Sequence, residues 1–102
     1  MEHHPKFFVG QVIHHRRFDY RGVIIDVDPS FQGSEDWYEQ VARSRPPKDS
    51  PWYRVLVHGG EQETYVAERH LEPDRTGGPI FNPALDTFFE AYVNGVYKAR
   101  LH

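Results

Sequence analysis

Gly22-Val-Ile-Ile-Asp-Val-Asp28 is the stretch of sequence that decides the fold class. Its residues alternate between two faces, so Val23, Ile25 and Val27 lie together on one side of a predicted strand. A period of two is typical of a half-buried β-strand, and Pro29 ends it because proline cannot donate a hydrogen bond to a neighbouring strand.

Three further segments carry the same short, β-branched and aromatic pattern: Phe7–His15, Trp52–His58 and Glu63–Ala67. Gly59-Gly-Glu-Gln62 joins the last two as a hairpin. So few short strands bury a core most economically when their sheet closes on itself. The sequence therefore predicts a mainly β protein, a small bent β-barrel over about residues 6–73. Its predicted core is Val9, Ile13, Val23, Ile25, Val27, Val55, Val57 and Tyr65.

An insertion from Ser30 to Ser50 interrupts the β pattern. Ser34 predicts the start of a short helix, which Pro46-Pro47 ends. Barrel strands need only a few connecting residues, so an insertion of this length favours a binding role. We predict that Trp37 and Tyr38 on this helix contact a protein partner. A second interpretation stays open, in which Trp37 folds back to cap an open end of the barrel.

The C-terminal part of the chain has a helical period. After a predicted linker over 74–81, Asn82-Pro83 starts a segment in which four large apolar residues follow helical spacing: Leu85, Phe88, Phe89 and Tyr92. Asn94-Gly95 would then end the helix, although the same pair also suits a hairpin turn. We favour a short C-terminal helix and tail over 82–102, within one domain of residues 1–102.

Composition excludes several classes of protein. The 102 residues contain no cysteine, which rules out disulfide scaffolds, iron–sulfur clusters and thiol nucleophiles. No apolar run reaches the roughly 18–20 residues of a membrane span, and the N-terminus lacks the pattern of a signal peptide. We therefore expect a cytoplasmic protein without a membrane partner.

Catalytic and metal-binding patterns are missing from the sequence. His14 and His15 are adjacent on a strand, so their side chains point to opposite faces and cannot chelate one ion. Asp26 and Asp28 share a strand face, where a solvated surface is favoured over a pair of catalytic carboxylates. No serine lies in a Gly-x-Ser-x-Gly turn, and no glycine loop has the phosphate-binding pattern. The sequence predicts no enzyme activity and no catalytic, cofactor-binding or metal-binding residues.

A basic and aromatic segment, His14-His-Arg-Arg-Phe-Asp-Tyr-Arg21, is the main candidate for nucleic-acid binding. Guanidinium groups contact phosphates and aromatic rings stack on bases. We therefore predict a nucleic-acid surface formed by Arg16, Arg17, Arg21 and Tyr20, while an acidic protein partner or a solvated turn stays open. The formal net charge of -3 makes any DNA affinity weak and salt-sensitive.

The sequence resembles the HspQ family, whose YccV-type domain is also described as hemimethylated-DNA-binding. The resemblance covers about residues 7–73, and residues 82–97 are similar to the tail of some members. Four blocks carry it: Phe7-x-Val-Gly-Gln-Val-x-x-His15, Tyr20-Arg-Gly-Val-Ile-Ile-Asp-Val-Asp-Pro29, Pro51-Trp-Tyr53 and Thr64-Tyr-Val-Ala-Glu68.

The resemblance implies an SH3-like barrel and a non-enzymatic heat-shock role. It implies an adaptor or specificity factor that promotes the degradation of certain denatured proteins by an ATP-dependent protease such as Lon. It also implies the alternative of a protein that binds hemimethylated DNA. The acidic charge balance favours the adaptor, with a protease and denatured proteins as partners, and leaves a homo-oligomer open.

Overall fold

A five-stranded antiparallel sheet forms the body of the structure, a computed structural model that describes residues 4–100. Residues 1–3 and 101–102 of the predicted domain lie outside the described residues. The sheet has the strand order β4-β3-β2-β1-β5. Its strands are β1 (Val12–His15), β2 (Arg21–Asp28), β3 (Trp52–Val57), β4 (Glu63–Ala67) and β5 (Leu71–Pro73). The predicted mainly β class is therefore confirmed.

Other elements complete the chain. Helix α1 (Glu35–Val41) lies in the insertion, and a 3₁₀ helix (Glu68–His70) joins β4 to β5. A one-turn helix α2 (Leu85–Phe88) precedes a separate hairpin of β6 (Phe89–Val93) and β7 (Val96–Ala99). No helix in the described part of the chain is long and apolar enough to cross a membrane.

The sheet curls because its two edge strands are consecutive in the chain. Only three residues, Glu68–His70, join β4 to β5, so opposite edges of a five-stranded sheet must approach each other. Within residues 4–100 no ladder of backbone hydrogen bonds links β4 to β5. The predicted closed barrel is therefore not confirmed, and the curled sheet stays open along one seam.

Strand β2 is buried on both faces, unlike the predicted half-buried strand. An inner cluster fills the curl of the sheet: Phe7, Ile13, Ile24, Tyr53, Val55, Val66 and Leu71. An outer cluster covers the opposite face: Val12, Val23, Ile25, Leu56, Ile80, Phe89 and Tyr97. A register shift between Ile24 and Asp26 moves Val27 to the inner side, so Val27 does not share the face of Val23 and Ile25.

Two further core predictions need correction. Residues 7–10 turn instead of extending β1, since Gly10 has a φ of 95° and the Gln11 amide bonds the Phe8 carbonyl, so Val9 is 38% exposed. Tyr65 is half-buried because its hydroxyl reaches the surface and donates to the Asp28 carboxylate. Val27 is half-buried, and the other five predicted core residues are buried: Ile13, Val23, Ile25, Val55 and Val57.

The predicted C-terminal helix is wrong beyond its first turn. Asn94 and Gly95 both have positive φ, 52° and 82°, and form the tight turn of the β6–β7 hairpin. A hairpin brings Phe89 and Tyr97 together on the outer face of the sheet, with ring centroids 5.3 Å apart. Burial of both rings outweighs the helical spacing, and the predicted linker contributes Ile80 to the same cluster.

The insertion contains the predicted helix. The Ser34 hydroxyl accepts a hydrogen bond from the Trp37 amide at 3.1 Å, as expected for an N-cap. The helix packs on the end of the sheet through an aromatic cluster made of Phe31, Trp37, Tyr38, Ala42, Trp52, Tyr65 and Ala67.

A close backbone contact holds the hairpin to the sheet, and Gly10→Ala should disrupt it. The Tyr97 amide donates to the Gly10 carbonyl at 2.9 Å, and a Cβ at position 10 would overlap the Tyr97 carbonyl oxygen. Gly59→Ala is the matched control, because Gly59 has a similar φ of 91° and nothing within 4 Å of its Cβ position.

Denaturant melts should show a loss of about 1–2 kcal/mol in unfolding free energy for Gly59→Ala, from backbone strain alone. Gly10→Ala should lose roughly 1–3 kcal/mol more, because the neighbouring atoms are backbone and cannot move aside. Equal losses in the two variants would contradict a tight contact between residue 10 and β7.

Candidate functional site

A groove with a volume of about 570 Å³ lies along the open seam of the sheet. One wall is strand β4, and the opposite wall is the turn after β1 together with His70. The end of α1 and the residues after it close one end. We call this cavity the seam groove; its lining includes His15, Arg17, Phe18, Tyr20, Trp37, Val41, Ala42, Arg43, Ser44, residues 63–67 and His70.

The aromatic cluster shapes one end of the seam groove. Trp37 is half-buried, with its ring 5.8 Å from Tyr65 and 6.1 Å from Trp52, and it also lines the groove. Tyr38 is buried, and its hydroxyl donates to the Pro46 carbonyl at 2.6 Å. Trp37 therefore packs on the sheet, as in the capping interpretation, and still presents one side to the groove. Tyr38 instead bonds Pro46 within the insertion and stabilises its fold.

A buried histidine organises the opposite wall. The Nδ1 atom of His15 accepts hydrogen bonds from the Arg17 and Phe18 amides, at 3.1 and 3.0 Å. Burial, followed by the charge of His70, lowers the pKa of His15 to about 4, so its ring is neutral and free to accept. Phe18 stacks on this ring with centroids 4.9 Å apart and is itself 68% exposed.

The predicted nucleic-acid residues separate into two surfaces. Arg16 and Arg17 are exposed and lie beside Arg69 and His70. Arg21 lines a different cleft, where it pairs with Asp74 at 3.1 Å and donates to the carbonyls of residues 77 and 78. Arg21 is therefore engaged within the fold and is not grouped with Arg16 and Arg17.

Tyr20 lies across the seam rather than on a basic surface. Its hydroxyl hydrogen-bonds the Thr64 hydroxyl at 2.7 Å, and its ring stacks on His15. This contact links the two walls of the seam groove through side chains where no backbone ladder does. The half-buried ring leaves a limited surface for stacking on a base.

Arg69 is a member of the basic surface that the sequence did not single out. Pairing of β5 with β1 brings it there, since the Arg16 amide donates to the His70 carbonyl at 2.7 Å. Burial lowers the pKa of His70, and the charges of Arg69, Arg17 and Arg16 lower it further. Among the residues described, no carboxylate forms an ion pair with these three arginines. We call Arg16, Arg17 and Arg69 the arginine cluster.

Other ionisable groups have partners within the fold. The ring of His14 lies between Asp19 and Glu72, at 2.6 and 2.8 Å, and these carboxylates raise its pKa. Asp26 lies near Arg54, and Asp28 accepts from Tyr65 at 2.6 Å. Between residues 4 and 100 no group of three or more His, Asp or Glu side chains is placed to hold a metal ion.

Comparison with known families matches nearly the whole chain. A family model described as "Hemimethylated DNA-binding protein YccV like" covers residues 5–96. The chain belongs to the YccV-like family. The match includes the seam groove, the arginine cluster and the five-stranded sheet, and it continues through β6 to the first residue of β7.

Neutral His15 should make the stability of this YccV-like protein sensitive to acid. The unfolded histidine binds a proton near its ordinary pKa of 6.5, whereas the folded one does so only near 4. The contribution of neutral His15 to the free energy of unfolding is therefore fully present above pH 6.5. It falls as the pH drops toward 4, by up to about 3 kcal/mol.

His15→Gln isolates this effect, because a carboxamide oxygen can accept the same amides and does not titrate. Unfolding free energies measured from pH 7.5 to 4.5 should fall more steeply for the wild type than for the variant. Parallel pH profiles would show that His15 is not held neutral by the fold. His14 and His70 are present in both proteins, so their own titration contributes to both pH profiles.

Proposed function

We propose that this protein is a non-enzymatic adaptor that binds denatured polypeptides in the seam groove and promotes their degradation by an ATP-dependent protease such as Lon. The observation that supports it is the groove itself, an apolar and aromatic channel open to solvent. Phe18 and Val41 at its walls are 68% and 55% exposed. Exposed apolar surface gathered in one concave site is typical of binding sites.

Denatured polypeptides suit this groove because they expose the apolar side chains that folded proteins bury. Aromatic residues also provide large contact areas at low entropic cost, which suits capture of many sequences. The heat-shock role and the protease partner extend the HspQ resemblance, and the cytoplasmic location is proposed together with them. The curl of the five-stranded sheet supports the SH3-like architecture in the same way.

Phe18→Ala should weaken capture of an unfolded protein. Phe81→Ala is the matched control, since Phe81 is 79% exposed and lies outside the groove lining. Binding of a reduced and alkylated protein, measured by fluorescence anisotropy, should weaken about tenfold for Phe18→Ala, or about 1.4 kcal/mol. Phe81→Ala should bind like the wild type.

The same two variants test the link to proteolysis. Degradation of the unfolded protein by purified Lon should be stimulated by the wild type and by Phe81→Ala, and less by Phe18→Ala. If Phe18→Ala and Phe81→Ala captured the unfolded protein equally well, the seam groove would not be the binding site. Normal capture without any stimulation would contradict the adaptor role.

DNA binding is a second candidate function, favoured by the arginine cluster and by the name of the family. Arg16, Arg17 and Arg69 form a patch without paired carboxylates in the described chain, and the Arg17 guanidinium lies 5.6 Å from the centre of the exposed Phe18 ring. Arg69 also donates a hydrogen bond to the Ser44 carbonyl at 2.6 Å. Arginines of this kind contact phosphates, and an adjacent ring can stack on an unpaired base. Comparing the affinities for a hemimethylated and an unmethylated duplex tests whether the protein recognises a methyl group on one strand.

DNA affinity carried by the arginine cluster should depend on salt. Three phosphate contacts predict a slope of log K against log salt of about -2.7, and each Arg→Ala change should reduce its magnitude by about 0.9. Arg45→Ala serves as the control of equal charge, since Arg45 pairs with Glu39 outside the patch. If Arg45→Ala lowered the DNA affinity as much as Arg17→Ala does, the affinity would depend only on net charge and not on the arginine cluster.

A further inference from the structure

We propose that the outer edge of β4 binds an extended polypeptide segment as an added antiparallel strand. This inference rests on the proposed function and specifies how the seam groove recognises its substrate. Strand addition uses the peptide backbone, which is common to all sequences. It would therefore let one groove accept many unrelated unfolded chains.

The hydrogen-bond pattern of β4 identifies its free groups. The Val57 amide donates to the Gln62 carbonyl, and the Glu68 amide donates to the Pro51 carbonyl. With the uninterrupted register of β3 and β4, bonds to β3 fall on even-numbered residues of β4. The N–H and C=O groups of Glu63 and Tyr65 therefore point away from β3, and no described residue bonds them.

The edge is accessible at one end only. Glu63 is exposed and Tyr65 is half-buried, whereas Ala67 is covered by the aromatic cluster. Two residues two positions apart can exchange up to four backbone hydrogen bonds with an added antiparallel strand. The groove beside them is already apolar, so the side chains of such a strand would find contacts there.

The two edges of the sheet differ in a way that favours β4. Natural proteins protect exposed edges with short strands, charges and proline. Strand β5 has three residues and ends at Pro73, and Glu72 on it pairs with His14. Strand β4 has five residues and no proline, and its one charged side chain, Glu63, is paired with Arg54 at 2.8 Å. Only β5 therefore carries the usual protection.

Charge at the groove specifies the occupant further. Arg17 and Arg43 line the seam groove, and neither forms an ion pair with a described carboxylate. The carboxylate of Glu63 is already paired with Arg54. The occupant that fits is an extended segment with alternating apolar side chains and acidic residues beside them.

A matched pair of variants tests the backbone contact. Glu63→Pro and Glu63→Ala both remove the carboxylate, but only proline also removes the outward N–H, and proline is tolerated at the first residue of a strand. The probe is a fluorescent seven-residue peptide that alternates Val or Phe with Thr and has Glu at each end. Glu63→Pro should bind it roughly threefold to tenfold more weakly than Glu63→Ala does. Equal affinities would overturn the proposal.

N-methylated peptides test the same contact on the wild-type protein, where folding is not in question. In an added strand, every second peptide N–H faces β4 and the others point away from it. Methylation of the nitrogens that face β4 should abolish binding, and methylation of the other nitrogens should leave binding nearly unchanged. Equal sensitivity of the two sets would contradict strand addition. The peptide with Lys in place of Glu should bind more weakly, and unchanged binding would contradict the acidic specificity.

Failure of this proposal can be told apart from failure of the proposed function. If Phe18→Ala loses the unfolded protein while Glu63→Pro retains it, the groove captures polypeptides by side chains alone. If the wild type captures no unfolded protein, the adaptor role itself is wrong. If the wild type instead self-associated with increasing concentration, and Glu63→Pro but not Glu63→Ala lost this association, the edge would bind a second copy of the chain. The proposal that it binds a peptide segment would then be overturned.

Discussion

The short connection between the two edge strands is the constraint on which the rest of the structure depends. Because β4 and β5 are separated only by the 3₁₀ helix Glu68–His70, the sheet must curl, and its concave face buries the inner cluster. The convex face then needs its own cover, which the C-terminal hairpin provides through the outer cluster. The curl also stops short of closure, and the seam groove is the space that remains.

Two polar arrangements hold the seam open in a defined shape. His15 accepts two backbone amides of the turn after β1 and supports the ring of Phe18, so the wall of the groove depends on a neutral imidazole. Tyr20 reaches across to Thr64 and ties that wall to β4. The arginine cluster lies beside the same wall, because β1–β5 pairing places His70 next to the turn. A binding surface with apolar walls and cationic margins thus follows from a small number of side-chain contacts.

Sequence periodicity was sufficient to locate β2, β3, β4 and helix α1 along the chain, since each has local signals that tertiary contacts do not oppose. It did not predict the faces of β2, because a register shift between Ile24 and Asp26 that no local pattern encodes moves Val27 to the other face. Residues 85–95 carry both helical spacing and a hairpin turn, and the need to cover the outer face decides between them. Arg69 could not be assigned to the basic surface, because only the pairing of distant strands brings it beside Arg17.

Amide hydrogen exchange on the protein, alone and with an excess of a reduced and alkylated protein, tests most directly whether the seam groove holds unfolded polypeptide. We expect added protection at the amides of Glu63 and Tyr65, which have no partner in the described chain. The Thr64 amide, already bonded to β3, should change least in this strand. Protection confined to the β6–β7 hairpin, with unchanged exchange at Glu63 and Tyr65, would contradict the account.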